Sequence, residues 1–358
     1  MLAANPNLEN IKAQLPECVH GYFDFGSHDK AILTKLNYAR DLLYFFEYTV
    51  NFLPYFPEKK TSELTIENLK AITPNDINKF VTWMKDKQDL SERTCARRRS
   101  SVSIIYNYLI NTERKLDFNP VTGSEGISIE QSDFVTYLNL DEQAKLLDCI
   151  QYGTGLTKRE LAFHEKYKKR DLAIIFLFLD TGLRISELQA LNVNDVVIYD
   201  DLIKDDSNEC FVLTLRKGKK RSGKTPSKVY FSDESKEYIQ DYLKSREIHG
   251  EKFDSNTPLF ITLEGNRLSV RQIQQMLKKY VRASLHRSDI SVHKLRSSFA
   301  MEFYKAEHDI LVLQNRMGHA STAATNIYAR ASDKEDAVKA SRNWRGKKNL
   351  DLLVAIRY

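Results

Sequence analysis

The sequence has little of what would indicate a disulfide framework, a zinc site or a membrane span. Its 358 residues include only four cysteines, at positions 18, 95, 149 and 210, and no two of them form a CxxC pair. This spacing excludes a disulfide scaffold and a zinc ribbon, so we expect reduced cysteines in a cytoplasmic protein. The longest strongly apolar run, Leu172 to Leu179, is too short to span a bilayer, and the first residues lack the apolar stretch of a secretory signal.

The chain also lacks the patterns of nucleotide-driven and metal-dependent enzymes. A GxxxxGK[ST] phosphate-binding loop is absent, which excludes the common ATPase site. His293 and His319 have neither HxH spacing nor clustered acidic residues around them, which argues against a hydrolytic metal centre. We therefore expect no cofactor and no metal.

What the sequence does contain is typical of a globular, mildly basic protein. Hydrophobic residues make up 42% of the chain and charged residues 28%, which argues against global disorder. The net charge of +6 does not by itself establish nucleic-acid binding, because the placement of the cations matters more than their sum. The length predicts two or three domains.

The first 120 residues predict a unit made of helices. Apolar residues recur at helical spacing between positions 28 and 53, Thr73-Pro74 has the composition of a helix start, and Ser91 begins another helix. Four arginines crowd the first half of that last helix: Arg93, Arg97, Arg98 and Arg99. We interpret them as DNA contacts, mostly to phosphates; the alternative is a solvated helix face.

The rest of the chain predicts a linker and a second unit with a small sheet. Residues 121–136 are polar and contain glycine and serine, which favours a linker or extended connector. From residue 137 onward the pattern is mainly helical, with a buried helix at Arg170–Asp180 and a terminal helix at Ala331–Ala340. Phe211–Leu215 alternates like a β-strand, and Val229–Phe231 is its expected partner.

Four segments of the second unit carry residues suited to phosphate chemistry. Each alone has an ordinary explanation, such as a surface cation, a solvated hairpin tip or a packed tyrosine. They are TGLRISEL (181–188) with Arg184 and Glu187, the acid-free LRKGKKRSGKTPSK (215–228), HKLRSSFA (293–300) with His293 and Arg296, and MGHASTAATNIYAR (317–330) with His319 and Tyr328.

Taken together and in this order, the segments resemble the tyrosine recombinase/integrase family. Its pattern of Arg, Lys, His-x-x-Arg, His or Trp, and Tyr maps to Arg184, Lys217, His293, Arg296, His319 and Tyr328. Within the family, the sequences KKRDLAIIFLFL, RKGKKR and HKLR look most like those of single-protein Xer recombinases, and mobile-element integrases are nearly as similar. One departure is Ser297, which stands where many members have a second histidine.

The resemblance implies a fold and a division of the chain. The fold is mainly α with a small β-sheet: a helical N-terminal core-binding domain precedes an α+β catalytic domain of the tyrosine recombinase type. The corresponding boundaries are 1–120 for the DNA-clamp domain, 121–136 for the linker, and 137–358 for the catalytic domain with a C-terminal oligomerisation helix.

The resemblance also implies a role for each residue. Two arginines suit the oxygens of a phosphodiester because guanidinium groups donate rigid, charge-assisted hydrogen bonds. A tyrosine nucleophile, with an ordinary pKa near 10, needs help from a base, for which His293 is the candidate. His319 would bind the phosphate, Lys217 would protonate the leaving 5′ oxygen, and Glu187 would brace the site or lie at the surface. Lys219, Lys220 and Arg221 would follow the DNA backbone, and either lysine remains an alternative to Lys217 as the acid.

The implied partners are double-stranded DNA recombination sites, a homotetramer on that DNA and accessory proteins, with no membrane. The implied reaction is strand cleavage and rejoining through a 3′-phosphotyrosine and a Holliday junction. Its biological use would be Xer-type chromosome dimer resolution or mobile-element integration and excision. The competing functions are type IB topoisomerase-like relaxation of DNA and DNA binding without catalysis.

Overall fold

The structure, a computed structural model, forms two compact units, residues 1–131 and 132–358. It describes residues 6–26, 31–54, 56, 60–129, 134–198, 210–217, 224–248, 254, 256–318 and 321–347. The division between the units falls inside the segment 121–136, where the sequence predicts a linker. Within the described residues, no helix is both long and apolar enough to cross a membrane.

The first unit is built from helices, as predicted. They are α1 (Pro6–Lys12), α2 (Ile32–Phe52), α3 (Ile66–Ala71), α4 (Pro74–Asp86) and α5 (Glu92–Asn111), with short 3₁₀ turns at Glu17–Val19 and Thr61–Glu63 and a π-helical turn at Tyr22–Gly26. The Thr73 side chain caps α4 and Ser91 caps α5, which confirms both predicted starts. Aromatic residues fill much of the core, including Phe45, Phe46, Phe80 and Tyr106.

The first part of the predicted linker packs on the first unit. Arg99 of α5 donates hydrogen bonds to the carbonyl oxygen of Val121 at 2.8 Å and to the hydroxyl of Ser124, also at 2.8 Å. Val121 is buried, and the side-chain oxygen of Asn119 accepts a hydrogen bond from its amide at 3.0 Å. The chain therefore leaves this unit only after residue 124.

The second unit combines helices with one small sheet. Its helices are α6 (Leu140–Tyr152), α7 (Lys158–Thr181), α8 (Ile185–Ala190), α9 (Asp233–Ile248), α10 (Val270–Leu285), α11 (Val292–Glu307), α12 (Ile310–Met317) and α13 (Asn326–Lys347). The buried helix expected at Arg170–Asp180 is the second half of α7. The fold class predicted from the sequence, mainly α with a small β-sheet, is confirmed.

The sheet contains three antiparallel strands in the order β1 (Val196–Ile198), β2 (Cys210–Lys217) and β3 (Lys224–Tyr230). The β2–β3 pairing runs from Phe211 opposite Tyr230 to Lys217 opposite Lys224. The sequence predicts β2 and β3 but not β1, which is only three residues long. The basic segment 215–228 thus includes the end of β2 and the start of β3.

Two turns of the second unit end helices in the left-handed conformation. Gly182 follows α7 with φ +59°, and a Cβ there would lie 2.4 Å from a ring carbon of Phe299. Only glycine fits, because the position combines positive φ with close packing. Gly318 ends α12 with φ +59°. α13 begins at Asn326, five residues before the predicted start at Ala331.

Candidate active site

Arg184 lies at the N-terminus of α8, two residues after the Gly182 turn. The carboxylate of Glu187 accepts hydrogen bonds from the Arg184 backbone amide and from Nη1, both at 2.8 Å. Glu187 is 8% exposed and Arg184 is 42% exposed. A buried carboxylate therefore fixes the direction of a cation that still reaches the surface.

Arg296 is among the largest fully buried side chains of the described structure, at 2% exposure. Its Nη1 donates to the carbonyl oxygen of Gly182, and its Nη2 donates to that of Met317. A buried arginine needs such partners because an unpaired charge is costly to remove from water. Arg296 consequently ties the end of α7 to the end of α12.

The two arginines meet at the same turn. Arg184 Nη2 donates to the carbonyl oxygen of Gly318 at 3.4 Å, one residue beyond the Arg296 partner Met317. His319 is the next residue in the chain, and it lies outside the described residues. Three segments that are far apart in sequence (181–188, 293–300 and the start of 317–330) are therefore brought together.

His293 stands one helical turn before Arg296 on α11, with its side chain largely exposed. Partial desolvation, and then the positive charges of Arg296, Lys294 and Arg184, lower the pKa of His293 below its ordinary value. A histidine with a lowered pKa is neutral at physiological pH, which is the form that accepts a proton. The spacing of three residues puts His293 on the same face of α11 as Arg296.

Lys217 is the last residue of β2, and its Cα lies opposite that of Lys224 at the open end of the β2–β3 ladder. Lys219, Lys220 and Arg221 lie outside the described residues.

Tyr328 is the third residue of α13 and is buried, at 6% exposure. It packs with Phe299, Met301, Leu313 and Met317, which come from α11 and α12. Its hydroxyl makes no hydrogen bond with any residue in the described parts of the chain. The candidate nucleophile thus lies in an apolar cluster that includes Met317, at the turn that both arginines contact.

The four arginines of α5 have different environments. Arg97 and Arg98 face the buried carboxylate of Asp41 on α2, and the Arg98 guanidinium also stacks 3.5 Å from the ring centroid of Tyr44. Arg99 is engaged by residues 121 and 124, as described above. Arg93 is exposed and forms no ion pair or hydrogen bond with any described residue. The sequence treats these arginines as one group, whereas the structure separates Arg93 from three arginines that contact other residues of the unit.

Two features of the structure have no local sequence signal. Asp41 is one of two acids in the amphipathic helix α2, and its arginine partners are more than 50 residues away. Tyr137 bonds to Lys305 and Glu335 across even larger separations. Only the folded chain brings these residues together. Among the described residues, no group of three His, Cys, Asp or Glu side chains is arranged to bind a metal ion.

Each of the two units matches a protein-family model. The phage integrase family model matches residues 137–335, and the model for the phage integrase N-terminal SAM-like domain matches residues 55–113. The chain is 29% identical over 315 residues to tyrosine recombinase XerC of Caldanaerobacter subterraneus subsp. tengcongensis, covering 86% of this chain and 80% of the relative. It is 27% identical over 357 residues to tyrosine recombinase XerS of Lactococcus lactis subsp. cremoris, covering 92% and 96%.

Solved structures share the fold. The XerH site-specific recombinase bound to palindromic difH substrate, in a post-cleavage complex, has a TM-score of 0.67 at 20% identity and 95% coverage of both chains. The Tn1549 transposon integrase with transposon right-end DNA has a TM-score of 0.61 at 19% identity, covering 91% of this chain and 98% of that one. Since the integrase family model alone matches more than half of its length, the chain belongs to the phage integrase family of site-specific tyrosine recombinases.

Proposed function

We propose that the chain cleaves and rejoins DNA strands at specific sites through a 3′-phosphotyrosine bond to Tyr328. The observation that carries this proposal is the meeting of Arg184 and Arg296 on consecutive carbonyl oxygens of the Met317–Gly318 turn. This arrangement supports two guanidinium groups at one phosphate, with Tyr328 packed against the same turn. Such preorganised donors stabilise the charge that develops on the phosphate oxygens.

The reaction is a transesterification that conserves bonds. The Tyr328 oxygen attacks phosphorus, a Tyr–O–P bond forms, and the P–O5′ bond breaks. His293 accepts the tyrosine proton and Lys217 donates a proton to the departing 5′ oxygen, while His319 binds the phosphate. Rejoining reverses each step, and the phosphotyrosine ester retains the bond energy, so no ATP is required.

Lys217 is the proposed acid, with Lys219 and Lys220 as alternatives in the same loop. The three are distinguished by a substrate whose scissile 5′ oxygen is replaced by sulfur. Sulfur leaves without a proton, so this substrate restores cleavage in the variant that lacks the acid. The cleavage rate of Lys217→Ala is expected to recover on this substrate. Recovery in Lys219→Ala instead would make Lys219 the general acid.

Double-stranded DNA is the proposed partner. Structural neighbours include XerH bound to difH DNA and lambda integrase bound to a COC′ core site. On α5, exposed Arg93 is the cation best placed for a phosphate, and Arg97 at 50% side-chain exposure is the next. We propose that the first unit grips one side of the duplex and that the hairpin residues Lys219, Lys220 and Arg221 follow the backbone on the catalytic unit.

We further propose a homotetramer that exchanges strands through a Holliday junction, with residues 331–358 contacting a neighbouring protomer and accessory proteins assisting. Its substrate is a chromosome dimer site or the end of a mobile element. Xer recombinases are among the relatives of this chain, and a transposon integrase is among its structural neighbours. Recombination of two sites on one plasmid, followed by sizing of the protein–DNA complex, tests the assembly.

Two alternatives predict different behaviour. A type IB topoisomerase-like enzyme would relax supercoiled plasmid that lacks any special site. A DNA-binding protein without catalysis would form no covalent adduct. For the proposed function, a nicked suicide substrate containing the site yields a protein–DNA adduct in EDTA. Tyr328→Phe abolishes the adduct, and persistence of the adduct in that variant would refute the assignment.

A further inference from the structure

The segment that follows the predicted linker contacts the helix carrying Tyr328. The Phe134 ring lies 4.0 Å from Nζ of Lys334 on α13. The Leu138 amide donates a hydrogen bond to the hydroxyl of Ser298 on α11 at 2.8 Å. Val135 packs against the apolar cluster that contains Tyr328. Residues 134–138 therefore pack against α11 and α13.

A polar cluster secures this segment, and we call it the Tyr137 cluster: Tyr137, Lys305 and Glu335. The Tyr137 hydroxyl donates to the Glu335 carboxylate at 2.9 Å and accepts from Lys305 Nζ at 2.6 Å. Lys305 Nζ also lies 2.9 Å from Glu335 Oε2. Burial opposes the charge on Lys305, but these two partners raise its pKa above the ordinary value. The three side chains bond to one another, and they join the segment 134–138, α11 and α13.

The Tyr137 cluster is linked to the candidate nucleophile because Glu335 and Tyr328 lie on the same helix, α13. Glu335 lies seven residues after Tyr328, which is about two turns along the same helix. Tyr328 is 6% exposed in this arrangement. A nucleophile must approach phosphorus to roughly 3–3.5 Å. Most of the Tyr328 side chain is covered by its neighbours here, so a shift of α13 or of its first turn would give the hydroxyl more room to reach a phosphate.

We propose that Tyr137, Lys305 and Glu335 are positioning residues that keep α13 in the arrangement in which Tyr328 is buried, and that their contacts open before cleavage. The inference rests on the proposed role of Tyr328. Tyr137 directly follows the predicted linker 121–136, and together with Phe134, Val135 and Leu138 it joins this segment to α11 and α13. The cluster thereby connects events in the linker to exposure of the nucleophile.

Tyr137→Phe tests this directly, because it removes one hydroxyl and leaves the ring. With saturating suicide substrate, the single-turnover rate of adduct formation is expected to rise at least about tenfold, because the variant loses both hydrogen bonds of the Tyr137 hydroxyl to charged groups. DNA affinity is expected to stay unchanged. Tyr152→Phe, at a tyrosine 73% exposed on α6, is the matched control. A rate in Tyr137→Phe that equals the control, or falls below wild type, overturns the proposal.

A second measurement does not depend on catalysis. Amide hydrogen exchange of α13 without DNA is expected to accelerate in Tyr137→Phe and in Glu335→Ala, while Glu335→Gln, which keeps acceptor atoms, accelerates less. Asp333→Ala, at an exposed acid on the same helix, is the control. Unchanged exchange in Glu335→Ala overturns the cluster's role even if Tyr328 is the nucleophile. Faster exchange without any adduct in the wild type would instead refute the proposed function.

Discussion

Arg184 and Arg296 donate hydrogen bonds to consecutive carbonyl oxygens, those of Gly318 and Met317, at the end of α12. The arrangement fixes both guanidinium groups relative to the turn that leads to His319. It brings together Arg184, Arg296 and the Met317–Gly318 turn, which are far apart in the sequence.

Arg296→Lys keeps the charge but cannot donate to both Gly182 and Met317 in the geometry of a guanidinium. We expect a loss of about 1.5–3 kcal/mol in the free energy of unfolding, because one charged hydrogen bond in a buried site is lost. Adduct formation is expected to fall roughly 100-fold. Denaturant titration and single-turnover cleavage measure the two effects. Arg282→Lys, at a partly exposed arginine paired with Glu160, is the control and should leave cleavage unchanged.

Glu187→Gln weakens the hold on Arg184 while keeping an acceptor for the backbone amide. We expect cleavage to fall roughly tenfold, because the guanidinium loses its charge-assisted partner. DNA binding should remain at the wild-type level. Glu160→Gln is a close match: Glu160 also accepts from a helix N-cap amide, at Thr157, and from an arginine, Arg282. Equal cleavage in the two variants would show that Glu187 only stabilises its helix.

The lowered pKa of His293 has a signed consequence for pH dependence. Its folded-state pKa lies below the ordinary 6.5, so the unfolded chain binds more protons in that interval and stability rises with pH through it. The acidic limit of cleavage should therefore lie below pH 6.5. Lys294→Gln removes a neighbouring positive charge and should raise the His293 pKa in an NMR titration. A downward shift, or none, would contradict the assigned cause.

The α5 arginines should separate in a salt titration of DNA binding. Arg93→Ala is expected to lower the slope of log affinity against log salt by about one, without changing stability, because one phosphate contact is lost. Arg99→Ala is expected to leave the slope unchanged and to reduce the free energy of unfolding by about 1–3 kcal/mol, since its guanidinium bonds to residues 121 and 124. The opposite pattern would reverse the two roles.

The sequence predicts those helices and strands that are marked by residue types close together in the chain. The Thr73 and Ser91 caps and the hydrophobic half of α7 follow from residue types at short spacing. α13 was predicted to start too late because Asn326 to Arg330 offers only a weak apolar pattern before a highly charged helix. β1 was missed because three residues carry too little alternation to stand out.

The resemblance to the tyrosine recombinase family points to Arg184, His293, Arg296 and Tyr328 as candidate site residues, but not to their packing. The structure brings the segments of these residues together. The burial of Arg296 could not be read from the sequence, since arginine is seldom buried unless paired and its partners are backbone carbonyls. The Tyr137 cluster likewise depends on contacts between residues 168 and 198 positions apart.

The most direct test of the account is to identify the residue that is joined to DNA. Wild-type protein is trapped on a suicide substrate in EDTA, digested with protease and nuclease, and the nucleotide-linked peptide is sequenced by mass spectrometry. The account predicts one modified peptide, with the 3′-phosphate on Tyr328. Linkage to any other residue, or an adduct that requires a divalent metal ion, would contradict it.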